Sequence, residues 1–140
     1  MRAEAFIDTN ILIYAISAHP AEAEKSETAK RLMASTDFGT SAQVLAEFYV
    51  TATRKMAQTV SVQKAAKFIE RLSRLPVVAV DAHLVLEAIA IGQRYRTSYW
   101  DSAIIAAAHR LGAKTIYSED LNHTQLYGEV QVLNPFRTRK

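Results

Sequence analysis

The 140-residue chain has no cysteine, only four glycines and only three prolines. Without cysteine there is no disulfide framework, no iron–sulfur centre and no thiolate zinc site, so the composition favours a reducing compartment. The longest apolar runs are much shorter than the roughly 18 residues that a membrane span requires. Glu4 and Asp8 lie where a signal peptide would have an uncharged apolar stretch. We therefore expect a cytoplasmic protein with no membrane contact.

Length and composition indicate a single globular domain. Hydrophobic residues make up 49% of the chain and charged residues 22%, and this length is near that of one hydrophobic core. We expect one domain over residues 1–140, with residues 135–140 as a mobile basic tail. The net charge of +3 is too small to indicate a partner until the charges are located.

Strand-like and helix-like segments alternate along the whole chain. Strands are predicted at residues 5–7, 38–40, 76–80, 115–117 and 130–133, and helices at residues 11–16, 20–34, 42–52, 60–75, 82–95 and 101–111. Thr9 or Asn10 is expected to cap the first helix. The alternation predicts an α/β domain with a mainly parallel sheet, in which ligands bind beyond the carboxyl ends of the strands.

Four acidic residues occupy positions where such a site is expected. Asp8 directly follows the first predicted strand and Asp120 follows the fourth. Asp101 opens a predicted helix, and Glu47 lies at the edge of a helical apolar stripe. Each residue alone is better explained as a cap, a turn or a solvated side chain. Together they fit one crevice, where four close negative charges would need a cation, so the set predicts a metal site.

The ligand type favours a hard cation. Mg²⁺ binds through a few carboxylates and keeps waters and substrate phosphate oxygens, and Mn²⁺ is a possible substitute. The histidines do not show a metal-binding spacing such as H-E-x-x-H. We therefore expect a magnesium or manganese site made of oxygen ligands.

Four segments carry a family resemblance. They are FIDTN at residues 6–10, SAQVLAEF at 41–48, SYWDSAIIAAA at 98–108 and YSEDL at 117–121. In this order the segments resemble the four acidic motifs of PIN domains, and specifically those of VapC-type toxins of type II toxin–antitoxin pairs. The resemblance implies a PIN-like α/β/α sandwich around a short, mainly parallel sheet. It also implies a metal-dependent endoribonuclease that forms a homodimer and is held inactive by a cognate antitoxin.

The resemblance assigns roles to the acidic residues. Asp8, Glu47 and Asp101 match the family's three acidic metal-site residues. Asp120 matches the fourth, and Glu119 beside it is a possible substitute. We expect Asp8 and Asp101 to bind the first Mg²⁺ directly and Glu47 to bind it directly or through water. Asp120 is expected to position a water or help hold a second ion.

Two hydroxyl residues and the reaction products follow from the same resemblance. Thr9 and Ser118 match small hydroxyl residues that support the family's site by hydrogen bonding. The family cleaves RNA phosphodiester bonds to leave 5′-phosphate and 3′-hydroxyl ends. Every acidic position of the motifs is occupied, so an active member is expected.

Basic residues are candidates for RNA contact. Residues 51–76 contain six basic side chains and one acidic side chain, which is typical of a phosphate-contact surface or of a solvated helix face. The six are Arg54, Lys55, Lys64, Lys67, Arg71 and Arg74. Arg94 and Arg96 precede Tyr99 and Trp100, and an aromatic ring there is either a base-stacking group or part of the core.

Other classes of protein fit parts of the pattern. A haloacid-dehalogenase-type phosphohydrolase needs a second aspartate two residues after Asp8, where this chain has Asn10. A receiver domain of a response regulator shares the size and alternation but needs adjacent acidic residues near its first strand. A nucleic-acid-binding module without catalysis fits the basic residues and leaves the carboxylates unexplained. The receiver-like or binding module without nuclease activity remains the alternative.

Overall fold

A computed structural model describes residues 1–137 of the chain. These residues form the strands β1 (Ala5–Ile7), β2 (Phe38–Ser41), β3 (Val77–Val78), β4 (Thr115–Tyr117), β5 (Leu126–Tyr127) and β6 (Val130–Leu133). The helices are α1 (Thr9–Ile16), α2 (Ala23–Ser35), α3 (Ala42–Val50), α4 (Val62–Leu72), α5 (Ala82–Tyr95) and α6 (Tyr99–Leu111). A 3₁₀ turn (Pro20–Glu22) precedes α2, and a π-helical turn (Thr51–Lys55) follows α3.

The six strands form one sheet in the order β3-β2-β1-β4-β6-β5. All neighbouring pairs are parallel except β5 and β6, which are antiparallel. The chain moves from β1 outward to β2 and β3, and then returns to place β4 on the other side of β1. This reversal of strand order beside β1 is the position at which open α/β sheets bind ligands.

Helix α6 lies against the sheet because it is apolar almost all round. Its residues from Ser102 to Ala108, and also Leu111, are buried, and α6 contacts β1, β2, β4 and β6. Helix α5 packs over α6, with Gly92 in close contact with Ser102. Helices α1 to α4 pack against one another in a second helical layer. The predicted α/β/α sandwich with a short, mainly parallel sheet is confirmed.

Several predicted boundaries move because local capping decides them. The side chain of Asp8 accepts the Thr9 amide, so Asp8 rather than Thr9 or Asn10 caps α1. The imidazole of His19 accepts the Ala21 amide and begins a 3₁₀ turn, which divides the helix predicted over residues 20–34. Ser98 caps α6, so that helix begins two residues before Asp101.

The strand predictions are wrong at the two sheet edges. Residues 76–80 were expected to form a buried strand, but only Val77–Val78 pairs, and Val80 is exposed. The short strand Leu126–Tyr127 was missed, because two residues are too few to show the alternation of apolar and polar residues that identifies a strand. It pairs with β6 across a turn in which Gly128 has a positive φ of 66°.

The predicted amphipathic helix of residues 60–75 is confirmed as α4, with a narrower buried stripe. Ala65 and Leu72 are buried, whereas Val62 and Ala66, also expected on the core side, are exposed. Residues 135–140 were expected to be a mobile basic tail, but the Phe136 ring packs edge-on against Tyr14 at 4.9 Å. Residues 138–140 of that tail lie outside the described residues. In the described part of the chain, no helix has both the length and the apolar character needed to cross a membrane.

Candidate functional site

The carboxyl ends of β1 and β4 create the floor of a cleft. Ile7 pairs with Tyr117, so Asp8 and Ser118 leave the two strands side by side. The Asp8 amide donates to the Tyr117 carbonyl at 3.1 Å, and the Ser118 amide donates to Leu133 at 3.1 Å. The segments that follow β1 and β4 therefore lie side by side at this edge of the sheet, as the sequence predicts.

Asp8 is a buried carboxylate with a fixed orientation. Its side chain and backbone together are 7% exposed. One carboxylate oxygen accepts the Thr9 amide at 2.7 Å, and the other accepts the Ser118 hydroxyl at 2.7 Å. The Ser118 oxygen in turn accepts the amides of Asp120 and Leu121 at 3.1 and 3.4 Å. Asp8 thus reaches the cleft as part of a preorganised network.

Burial raises the pKa of Asp8 from 3.8 to about 6. The hydrogen bonds from Ser118 and Thr9 lower this pKa, but they do not offset the loss of solvation. The negative charges of Asp120 and Glu47 raise the pKa further. These two carboxylates are therefore close enough to Asp8 to repel it, as the sequence prediction of one crevice requires.

All four predicted carboxylates line one cleft of about 500 Å³, hereafter the acidic cleft. Glu47 projects from α3 and accepts the Thr9 hydroxyl at 3.0 Å. Asp101 lies in the first turn of α6, and Asp120 lies three residues beyond β4. The complete lining comprises Asp8, Thr9, Gln43, Ala46, Glu47, Val50, Thr51, Lys55, Trp100, Asp101, Ile104 and Asp120.

The carboxylates line the acidic cleft without converging on one point. Within residues 1–137 no three acidic, histidine or cysteine side chains form a ready group that could hold one ion. Asp101 shares the cleft but is not among the charges that raise the pKa of Asp8. The donor set is all oxygen and suits a hard cation that retains waters, because bridging waters extend the reach of each carboxylate.

The structure separates the two candidates for the fourth acidic position. Asp120 lines the acidic cleft, whereas Glu119 is absent from its lining. The Glu119 carboxylate instead pairs with the ammonium of Lys25 and accepts the Tyr14 hydroxyl at 2.8 Å. Glu119 is therefore engaged on the side of α1 and α2, and Asp120 is the residue available to the cleft.

Asn10 is a site residue that the sequence prediction missed. Its amide nitrogen donates to Asp120 at 3.1 Å and to Ser118 at 3.4 Å, while its oxygen accepts the Glu119 amide at 3.1 Å. It ties the first turn of α1 to the loop that carries Asp120. Its position in the sequence could have indicated this role. Asn10 lies in the first turn of a helix that begins directly after the site residue Asp8, so that turn faces the same site.

Most of the predicted RNA-contact residues lie away from the acidic cleft. Lys55 is the one basic residue in its lining. Trp100 is 62% exposed and also lines it, so this ring is not part of the core. The others are exposed on the described surface: Arg54 on the π-helical turn, Lys64, Lys67 and Arg71 on α4, Arg74 just after α4, Arg94 on α5, and Arg96 just after α5.

Comparisons with known proteins agree with this arrangement. The chain matches the PIN domain family over residues 5–129. No curated protein matches it. Among solved structures, Mycobacterium tuberculosis VapC20, described as a sarcin–ricin loop cleaving toxin, has 24% identity and a TM-score of 0.67 over 91% of this chain and 98% of that chain.

Two further structures share the fold. A toxin–antitoxin complex from Klebsiella pneumoniae has 20% identity and a TM-score of 0.70 over 96% of this chain and 99% of that chain. Rickettsia felis VapBC2, bound to a DNA fragment from its promoter, has 18% identity and a TM-score of 0.62 over 91% and 96% of the respective chains. The family match spans most of the sequence and includes all four carboxylates of the acidic cleft, so the chain belongs to the PIN domain family.

Proposed function

We propose that this protein is a metal-dependent endoribonuclease and the toxin of a VapBC-type toxin–antitoxin pair. The observation that carries the proposal is the acidic cleft, in which Asp8, Glu47, Asp101 and Asp120 share one surface and Asp8 is buried at the floor. Four carboxylates around one cleft destabilise a protein unless they bind positive charge. VapC20, a sarcin–ricin loop cleaving toxin, and the Rickettsia felis VapBC2 complex share this fold, which supports the toxin assignment.

The cation that fits the acidic cleft best is Mg²⁺, with Mn²⁺ as a substitute. Asp8 and Asp101 would hold it directly, and Glu47 would hold it directly or through water. When bound, the ion supplies positive charge at the phosphate oxygens and lowers the pKa of a water. The elevated pKa of Asp8 supports this assignment, since a buried carboxylate with acidic neighbours gains most from a cation.

The side chains divide the remaining tasks of phosphodiester hydrolysis. The Thr9 hydroxyl holds Glu47 in a fixed orientation, and the Ser118 hydroxyl holds Asp8. Asp120 is oriented by Asn10 and lines the cleft, where it would position the attacking water or help hold a second ion. Trp100 offers an exposed ring on which an unpaired base of RNA can stack.

The nuclease is tested with purified protein and a panel of RNAs in Mg²⁺, in Mn²⁺ and in EDTA. We expect cleavage with either metal, no cleavage in EDTA, and products with 5′-phosphate and 3′-hydroxyl ends. RNA binding without cleavage in any metal would instead support the non-catalytic binding module. The receiver alternative has lost support, since the order β3-β2-β1-β4-β6-β5 differs from the 2-1-3-4-5 order of receivers.

The proposal includes two protein partners and a cytoplasmic location, where RNA is accessible. One partner is a cognate antitoxin, as in the Klebsiella pneumoniae and Rickettsia felis complexes. The other is a second copy of the chain. Leu86 and Ile89 on α5 are 65% and 49% exposed, and Val80 just before α5 is 49% exposed. Exposed apolar side chains one helical turn apart, as Leu86 and Ile89 are on α5, are typical of a protein interface.

Leu86→Glu is expected to convert a homodimer into a monomer, because a carboxylate buried in an apolar interface is left unpaired. Light scattering coupled to size-exclusion chromatography measures the mass of each species. Val62→Glu, at another exposed apolar position on α4, is the matched control and should remain dimeric. A wild-type protein that is monomeric at micromolar concentration, or a dimeric Leu86→Glu variant, would contradict this interface.

A further inference from the structure

The acidic cleft continues into a second depression that the proposed chemistry does not use. Thr51 and Lys55 line both cavities, so the π-helical turn forms the border between them. The far walls come from α1, the 3₁₀ turn and the segment after Lys55. The depression has a volume of about 340 Å³, at the small end of the range of ligand pockets. It has room for one nucleotide and not for a folded RNA loop.

We propose that this depression, hereafter the side subsite, binds the unpaired nucleotide next to the cleaved bond, and that Lys55 holds the phosphate between them. The inference rests on the proposed ribonuclease function. Lys55 is the one cation in the lining of the acidic cleft, and it forms no ion pair with residues 1–137. An RNA phosphate that enters a cleft with four carboxylates needs such a counter-charge.

The π-helical turn explains why Lys55 reaches this border. The Met56 amide donates to the Thr51 carbonyl at 3.0 Å, a bond that spans five residues instead of four. The wider turn ends the helical path of α3, and Lys55 then lines the two cavities while Met56 lines the side subsite. Single π turns of this kind recur at functional sites.

The walls of the side subsite combine apolar side chains with polar ones. Ile13 and Met56 are partly buried apolar side chains, and a flat ring packs well against such groups. His19 accepts the Ala21 amide through Nδ1 at 3.0 Å, so the ring nitrogen that carries a hydrogen is Nε2. Glu22 and Gln58 add acceptor and donor groups. A nucleobase has both hydrogen-bond donors and acceptors on its edge, so it is the ligand that fits these side chains.

The phosphate contact is tested by fluorescence anisotropy with a short, unstructured, labelled RNA and the cleavage-deficient Asp8→Asn protein. Adding Lys55→Ala should weaken binding about tenfold, the effect of one charge-assisted hydrogen bond. It should also reduce the slope of log K against log salt concentration by about 0.7, the value for one phosphate contact on a single strand. Lys30→Ala, which removes an exposed lysine of α2 outside both cavities, is the control and should change neither quantity.

The base contact is tested by sequencing the products from an RNA library with random bases around the cleavage site. Gln58→Ala in the otherwise wild-type protein should change the base preference at the position next to the cut, because Gln58 lines the side subsite. Gln63→Ala, an exposed glutamine on α4, should leave that preference unchanged. Both substituted side chains are exposed, so each variant should fold.

The outcomes separate this inference from the ribonuclease proposal. If wild-type protein cleaves RNA but Lys55→Ala binds as Lys30→Ala does and Gln58→Ala keeps the wild-type base preference, the side subsite is wrong and the nuclease stands. If Asp8→Asn does not bind the labelled RNA and wild-type protein does not cleave any RNA, both proposals are overturned. Weakened binding with the lower salt slope, together with a changed base preference, supports the side subsite.

Discussion

Asp8→Asn should lower the rate of RNA cleavage by about a thousandfold relative to the wild-type protein, both measured at saturating Mg²⁺. The substitution replaces the buried carboxylate at the floor of the acidic cleft with a neutral amide of the same shape. A bound metal ion contributes several kcal/mol of charge stabilisation in the transition state, and each 1.36 kcal/mol corresponds to about tenfold in rate. Initial rates with a labelled RNA measure the effect.

The fold of the variant should survive this change. Asparagine is as good an N-cap residue as aspartate, so the bond from the Thr9 amide persists. In wild-type protein the Asp8 carboxylate accepts a hydrogen bond from the Ser118 hydroxyl. In the variant the side-chain NH₂ of asparagine can donate a hydrogen bond to the Ser118 oxygen instead. Circular dichroism and thermal unfolding establish that the loss of activity is not a loss of structure.

Asp37→Asn provides the matched control, because Asp37 is an exposed aspartate outside the acidic cleft. It should cleave at the wild-type rate. Asp101→Asn should reproduce the loss seen with Asp8→Asn if both carboxylates hold the ion. Full metal-dependent cleavage by Asp8→Asn would refute the assignment of Asp8 as a metal ligand, whatever the other variants do.

The position of the site was predictable because it follows from the geometry of parallel strands. Asp8 directly follows β1 and Asp120 lies just beyond β4, and the carboxyl ends of neighbouring parallel strands meet at one sheet edge. Glu47 was predicted from its place on the flank of a helical stripe, and α3 indeed presents it to the cleft. These residues depend on regular structure, which periodicity reveals.

The finer contacts depend on pairings between distant segments, which a single sequence does not reveal. Lys25 lies 94 residues before Glu119, yet their ion pair decides that Asp120 is the residue in the cleft. Asn10 was predicted only as a possible cap, and its bonds to Asp120 and Ser118 exist because α1 begins beside β4. Lys55 lines the cleft because it lies on a π turn, and a single π turn leaves no periodic pattern in the sequence from which it could be predicted.

Asp8→Asn should also stabilise the metal-free protein at neutral pH, by up to about 3 kcal/mol. That figure corresponds to a pKa raised from 3.8 to about 6 in the folded state. Between these two values the folded protein holds a proton that the unfolded chain has released. The contribution of Asp8 to stability is therefore lost as pH rises through this range and is lowest above pH 6. Asparagine does not titrate and avoids this cost.

Urea unfolding in EDTA between pH 4 and pH 8 measures the difference between the two proteins. The variant should be more stable above pH 6, and its advantage should shrink towards zero near pH 4. Mg²⁺ should reverse the order at pH 7.5, because a ligand that binds only the folded state stabilises it in proportion to the logarithm of its concentration over Kd. Equal stability of the two proteins across the whole pH range would mean that burial does not disfavour the ionised form of Asp8. The acidic cleft would then have no need of a cation at Asp8, and the metal assignment would lose its electrostatic basis.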